Sequence, residues 1–333
     1  MAAAPNPRSA VEALEAQARA QEAEGDWVGL LETLSTLATR LQELNDDSRA
    51  RRALDQAYRI AETVTDQQVM APALHQLGFL YFLQGGWDRA LGLFHRALAL
   101  HKEASDRVGT AETLGAIAEA LQGKGAFRKA LEAYEESLAL KRALGDDRGL
   151  TLTWNNIGTI RARMGDLSGA MEAFERSLQI QESLGEMPGR AVTLANIGGI
   201  HLRRRSWQEA LHSLEQALAL YEKAGDSIGM ATTLNNLGFV QRRLGDLDGA
   251  YQRYARTRAL VEASGDLLRA TIPVHNMALI HEDKGEYREA LRLMEEVVAI
   301  DKRIGHPDLR QDLETFGRIR AKLDRERDRR PPG

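Results

Sequence analysis

Four asparagines stand 40 residues apart, at Asn156, Asn196, Asn236 and Asn276, and the register continues towards the N-terminus as Gln76 and Ala116. Seven residues after the first three comes an arginine: Arg163, Arg203 and Arg243. Seven residues are two turns of an α-helix, so each amide and its guanidinium share one helical face. A carboxamide offers one acceptor and two donors, enough to bond both the N–H and the C=O of an extended backbone. The arginine fork is planar and permanently charged, and it favours carboxylates. Packed helices lie about 8–10 Å apart and an extended chain advances about 3.3 Å per residue, so amides on successive helices could meet about every third residue of a bound segment. The pattern reads as a surface for an extended, partly acidic peptide. The competing reading gives the amides to bonds between neighbouring helices and the arginines to ion pairs on a solvated face. Ala116 shows that the stack tolerates loss of the amide, which favours binding for the asparagines. For the arginines both readings stand. Asp283 takes the arginine's place beside Asn276, so the expected centre of the surface is residues 151–270.

The elements that position these residues follow from the same period. Counting units from residues 71, 111, 151, 191, 231 and 271, position 20 is alanine six times: Ala90, Ala130, Ala170, Ala210, Ala250 and Ala290. Position 7 is Leu77, Ile117, Ile157, Ile197, Leu237 and Met277, and position 8 is Gly78, Ala118, Gly158, Gly198, Gly238 and Ala278. With Leu74, Leu114, Trp154, Leu194, Leu234 and Val274 at position 4, these form an apolar stripe on one helix. A mid-helix glycine costs about 1 kcal/mol against alanine, so its recurrence implies a neighbouring helix too close for a side chain. Position 15 supplies a turn glycine at Gly85, Gly125, Gly165, Gly245 and Gly285, with Arg205 as the exception. Asp166 and Asp246 follow as candidate caps of the second helix. Position 24 is Phe94, Tyr134, Phe174, Leu214, Tyr254 and Met294. Each unit is thus helix, turn, helix, turn, and a fixed period of this kind means a stacked repeat. Pro72 and Pro273 fall just past unit boundaries, where a first helical turn tolerates them.

A small residue at 8, glycine at 15, alanine at 20, an aromatic at 24 and a small residue at 27 together resemble the tetratricopeptide repeat. The likeness is strong over residues 71–305 and weaker over 31–70, where Leu34, Leu37, Ala38, Ala50 and Ala57 keep register but Asn45 replaces the turn glycine. The period is 40 rather than the usual 34, and the usual aromatic at position 11 survives only as Tyr81. Long units of this kind resemble those of kinesin light chain, of spindle-orientation scaffolds and of bacterial peptide-sensing regulators. Trp154-Asn155-Asn156-Ile157-Gly158 and Leu234-Asn235-Asn236-Leu237-Gly238 are similar to the kinesin light chain form. The resemblance implies an all-α fold, a right-handed superhelical α-solenoid of antiparallel helix pairs. It also implies that positions 2, 5, 6, 9 and 13 of the first helix line a concave groove. That adds Asn155 and Asn235 to the candidate site. The expected organisation is an N-terminal helix or cap at 1–30, a degenerate repeat at 31–70, six repeats at 71–306, a capping helix at 307–325 and a disordered tail at 326–333.

The remaining features narrow the function. The net charge of −4 argues against a globally basic nucleic-acid binder, and the run Arg203-Arg204-Arg205 has no aromatic stacking pattern beside it. There is no cysteine, which removes disulfides, thiolate nucleophiles and cysteine-based zinc sites. His275 and His281, like His95 and His101, are six residues apart and share a helical face poorly, so no metal is expected. Gly123-Lys124-Gly125 follows a helix rather than a strand, unlike a phosphate loop. No signal peptide or membrane-spanning run is visible, and a cytoplasmic location is expected. No nucleophile–base pair or catalytic carboxylate arrangement stands out, so we expect neither an enzyme nor a cofactor. The expected function is a protein-interaction scaffold holding an extended segment of another protein or peptide, with self-association by end stacking open. The alternative is a regulatory sensor whose superhelix changes when a peptide or partner binds and which controls another protein.

Overall fold

In a computed structural model, described over residues 7–44, 46–63, 67–185 and 187–328, the chain forms sixteen α-helices and, among the described residues, no strand. It divides into two compact units, residues 1–165 and 166–333. The first holds α1 (Pro7–Glu24), α2 (Trp27–Glu43), α3 (Asp47–Thr63), α4 (Gln67–Leu83), α5 (Trp87–Glu103), α6 (Arg107–Gly123), α7 (Phe127–Leu144) and α8 (Asp147–Arg163). The second holds α9 (Leu167–Leu184), α10 (Met187–Arg204), α11 (Trp207–Ala224), α12 (Ser227–Leu244), α13 (Leu247–Ser264), α14 (Leu267–Asp283), α15 (Tyr287–Ile304) and α16 (Leu309–Asp328). Even-numbered helices are the first helices of successive repeats. They form hairpins α2–α3, α4–α5 and α6–α7 in the first unit, and α10–α11, α12–α13 and α14–α15 in the second.

The hairpins close through the small residue at position 8. A Cβ added at Gly78 would lie 2.7 Å from the Phe94 ring, one at Gly198 2.6 Å from Leu214, and one at Gly238 2.7 Å from the Tyr254 ring. Position 8 of the first helix therefore receives position 24 of the second. Phe94, Leu214 and Tyr254 are all buried, as are the six recurring alanines at position 20. Ala38 and Leu54 occupy the same two positions in α2–α3, and both are buried. The degenerate repeat thus keeps these residue types.

Caps and turns set the helix bounds. Asp26, Asp106, Asp146, Asp166, Asp226 and Asp246 each accept the backbone N–H of a glycine three residues on. Such caps contribute about 1 kcal/mol each. At the turn inside each repeat, Gly85, Gly125, Gly165, Gly245 and Gly285 have positive φ, and Arg205 adopts φ 59° in their place. A left-handed non-glycine residue costs about 1–2 kcal/mol.

Two expectations are corrected. First helices begin four residues before the counted units, because the Asp caps at 106, 146, 226 and 266 start them there. Pro72 and Pro273 therefore lie inside α4 and α14, beyond the first turn, where each lacks an N–H to give the preceding turn. The last helix also runs past the expected limit of 325, to Asp328; the rest of the expected tail, residues 329–333, lies outside the described residues, as does Asn45.

The hairpin contact predicts opposite signs for two glycine substitutions. Gly238→Ala should lower stability by about 1 kcal/mol or more, because overpacking against Tyr254 outweighs the gain in helix propensity. Gly92→Ala in α5, where a Cβ meets nothing within 4 Å, should raise stability by up to about 1 kcal/mol. Urea unfolding of the two variants checks the pair.

Candidate functional site

The position-6 amides project from the first helices and are all half-buried: Asn156 on α8, Asn196 on α10, Asn236 on α12 and Asn276 on α14. Their surroundings differ. In the first unit Asn156 Nδ2 donates to Glu119 Oε1 of α6 at 3.4 Å. Burial pushes the Glu119 carboxyl above its ordinary range, while Lys141 and the Asn156 bond pull it back. Burial, then the Glu119 charge, also drive Tyr134 upward, while Asn156 beside its hydroxyl pulls it back. Asn155 donates to its own helix at Thr151 O, 3.1 Å away. Arg163 is exposed and lays its guanidinium 5.8 Å from the Phe127 ring centre. A cavity of about 380 Å³ is lined by Phe82, Trp87, Glu119, Gln122, Gly123, Asn156 and Arg163. The Trp87 indole occupies space beside Gly123, where a Cβ would come within 3.0 Å.

In the second unit Asn276 Nδ2 donates to Asn235 Oδ1 at 3.0 Å, joining α14 to α12. Asn196 and Asn236 form no side-chain hydrogen bond with any described residue. Arg203 and Arg243 are exposed. Arg243 lies over the Phe239 ring at 5.1 Å, and Phe239 meets Trp207 edge to face at 6.1 Å. Asp283 accepts from Arg242 Nε at 2.5 Å, which holds the Arg242 guanidinium above its ordinary value. Asp283, which takes the arginine's place beside Asn276, is therefore already paired. Next to these amides an apolar cavity of about 460 Å³ opens between α12, α13 and α14, lined by Ile228, Ala231, Thr232, Asn235, Leu260, Val261 and Ile272 among others.

The nine sequence-predicted residues thus fall into distinct sets. Asn155, Asn156 and Arg163 lie in the first unit; Asn196, Asn235, Asn236, Asn276, Arg203 and Arg243 lie in the second. Asn156 and the pair Asn276–Asn235 make bonds between first helices, and Asn155 is tied to its own helix. Asn196 and Asn236 keep their donors and acceptors. Arg163 and Arg243 also differ from other arginines, since Arg242, Arg253, Arg256, Arg258 and Arg318 form ion pairs between helices. Arg163 and Arg243 pair with no described acid and rest on aromatic rings instead. Sequence reasoning passed over Glu119, Phe127 and Phe239. The available signal was the spacing of Phe239 and Arg243, four residues apart and so on one helical face.

The family model described as Tetratricopeptide repeat matches residues 69–143, 149–223 and 229–303. Among solved structures the chain is similar to the apo form of RapI, with 15% identity over 83% of this chain and 98% of that one, and a TM-score of 0.63. It is similar to the apo form of the quorum sensor NprR from B. thuringiensis, with 15% identity over 90% and 91%, TM-score 0.60. It is also similar to a putative kinesin light chain from Podosopora anserina with nearly identical TPR-like repeats, with 20% identity over 59% and 96%, TM-score 0.51. No curated protein matches the chain.

The two kinds of amide separate in a stability measurement. Asn156→Ala should cost about 0.5–1.5 kcal/mol, because it strips a donor from a half-buried carboxylate. Asn196→Ala and Asn236→Ala should each stay within about 0.5 kcal/mol of the parent protein. Chemical denaturation of the three single variants distinguishes them.

Proposed function

The chain belongs to the tetratricopeptide repeat family, and we propose that it is a protein-interaction scaffold whose second unit holds an extended, partly acidic segment of a partner. The observation that carries this reading is the pair of unbonded amides at Asn196 and Asn236, each two helical turns from an exposed arginine on its own helix. Amide groups left half-buried without partners lose little on exchanging water for a peptide backbone, and gain two bonds in fixed register. Arg203 and Arg243 read carboxylates on that segment. Stacking of Arg243 on Phe239 holds its fork before a ligand arrives, which lowers the ordering cost of binding. Asn156, Asn276, Asn155 and Asn235 serve mainly to hold helices, so the gripping set is narrower than the full row.

The test is selection against an arrayed library of random unstructured peptides. The parent protein should enrich segments with recurring Asp or Glu, and the enrichment should weaken as salt rises. Asn196→Ala combined with Asn236→Ala should lower the enrichment about tenfold, as expected for roughly 1.4 kcal/mol of lost bonding, with the melting curve unchanged. Undiminished enrichment by the double variant, or enrichment of basic segments, overturns the reading. Small-angle scattering with and without a selected peptide then separates a rigid scaffold from a sensor that changes shape.

A further inference from the structure

Helix α16 covers the end of the second unit's core. Ile319 is buried among Val274, Met277, Ile280, Met294 and Val297, and Phe316 packs beside it. On the outside Arg318 donates to both oxygens of Glu282 of α14, at 3.0 and 2.8 Å, and Lys322 reaches Glu282 at 2.9 Å. Burial raises the Glu282 carboxyl, but its bonds to Lys322 and Arg318 outweigh that and hold it below the ordinary range. That contact is an ordinary ion-pair lashing.

Beneath α16 the arrangement is different. Asp301 of α15 is 0% exposed, and neither of its carboxylate oxygens has a hydrogen-bond donor. Its nearest imidazole is His306, with Nδ1 3.9 Å from Asp301 Oδ1. That nitrogen accepts the backbone N–H of Asp308 at 3.1 Å, so it carries no proton to offer. The hydrogen-bonding neighbour of Asp301 is a second carboxyl, Asp312, in the first turn of α16 and 5% exposed. Asp312 is bonded by His275 Nδ1 of α14. Two buried carboxylates in contact cannot both stay ionised without a large desolvation and repulsion penalty.

We propose that Asp301 and Asp312 share one proton, and that this proton latches α16 onto the end of the second unit. Asp301 keeps its O–H and donates it to Asp312, whose remaining acceptor capacity takes the N–H of His275. The proton satisfies the buried Asp301 and removes one of two facing charges. When it leaves, α15 and the start of α16 repel, and α16 opens more often. The other charged groups on the surrounding elements are committed elsewhere or lie further off. Glu282 of α14 is held by Arg318 and Lys322 of α16, and Arg258 of α13 is paired with Glu296 of α15. Asp308 in the connection adds further negative charge near Asp301.

The sign follows from the direction of the shift. Burial first, and the Asp312 contact second, push Asp301 from the ordinary 3.8 up to about 6. The latch is therefore complete below about pH 4 and is lost as the pH rises through about 6, the reverse of an ion-paired carboxylate. His75 and His201 are both held down by burial and weaken the fold on acidification in an overlapping range, so the readout must be local to α16. Hydrogen–deuterium exchange of the full chain, corrected for the intrinsic pH dependence of exchange, supplies it. Opening of Leu309–Asp328 should increase about three- to fourfold between pH 5.5 and pH 7.5. Asp301→Asn, which donates without a charge, should remove this step and protect α16 at pH 7.5; Asp312→Asn, whose amide can donate to Asp301 but which leaves it buried, should shrink it. Equal α16 protection at both pH values in the parent protein overturns the proposal, as does a step that persists in Asp301→Asn or is undiminished in Asp312→Asn. Should one variant fail to fold, the other and the parent measurement still decide.

Discussion

How near the two helices of a hairpin can come decides where every outward side chain of a repeat points. That approach is set by a glycine or alanine at position 8 facing a bulky residue at position 24. Gly78 beneath Phe94, Gly198 beneath Leu214 and Gly238 beneath Tyr254 leave no room for even one more carbon. Each such glycine gives up about 1 kcal/mol of helix propensity. Burying the side chain that fills its place returns about 1.5–3 kcal/mol. The contact is local, sixteen residues apart in the chain, so each hairpin forms from its own sequence. Stacking then needs only the apolar residues that remain.

Once that face is committed inward, the opposite face of each first helix is left to polar chemistry, and its outcome depends on the preceding first helix. Asn156 finds Glu119 at position 9 of the helix before it. The equivalent residue for Asn236 is Gly199, which has no side chain to bond. For Asn276 it is Phe239, which offers no hydrogen bond, and Asn276 turns instead to Asn235. One recurring residue type therefore does two jobs. Beside Glu119 the amide joins helices; opposite Gly199 it stays available. The same logic divides the arginines. Arg242 has Asp283 within reach on the next first helix and is consumed by it. Arg243, one residue on, faces Phe239 and keeps its donors.

This explains what was legible in the sequence. The period, the hairpin and the turns depend on contacts inside one unit, where spacing and residue type suffice. Gly85 or Gly245 at the turn and the alanines at position 20 could be read directly. The cap spacing, an aspartate followed three residues later by glycine, was equally available at Asp106 and Asp146 but extends the helices by a turn that apolar periodicity alone does not reveal. Contacts between units of the stack are another matter. Bonds such as Asn156 to Glu119 and Asn276 to Asn235 join residues 37 and 41 apart. Which of several half-buried neighbours an amide chooses is set by side-chain direction, which a periodic pattern does not encode. The sharing of Asp301 and Asp312 lay further out of reach, since nothing in the spacing of two aspartates marks them as facing each other in a dry contact.

The last helix shows what happens where the common lock is missing. By register α16 is a first helix, yet it carries Arg318 where the repeats carry glycine or alanine. It cannot take a second helix at close range, so it needs other means of attachment. Ile319 supplies the apolar part and Arg318 turns outward to Glu282. Arg318 and Lys322 stay about half exposed, so water and salt compete for their side of the bonds to the buried Glu282. The buried carboxyls work in the opposite way: they cost the fold whenever both are ionised, and they are satisfied only while a proton sits between them. An attachment built on small-to-large packing holds at every pH, whereas one built on a buried acid pair holds conditionally. Repeats joined by the first kind form the permanent body of the second unit, and α16, joined partly by the second, is the element whose seating the surroundings can change.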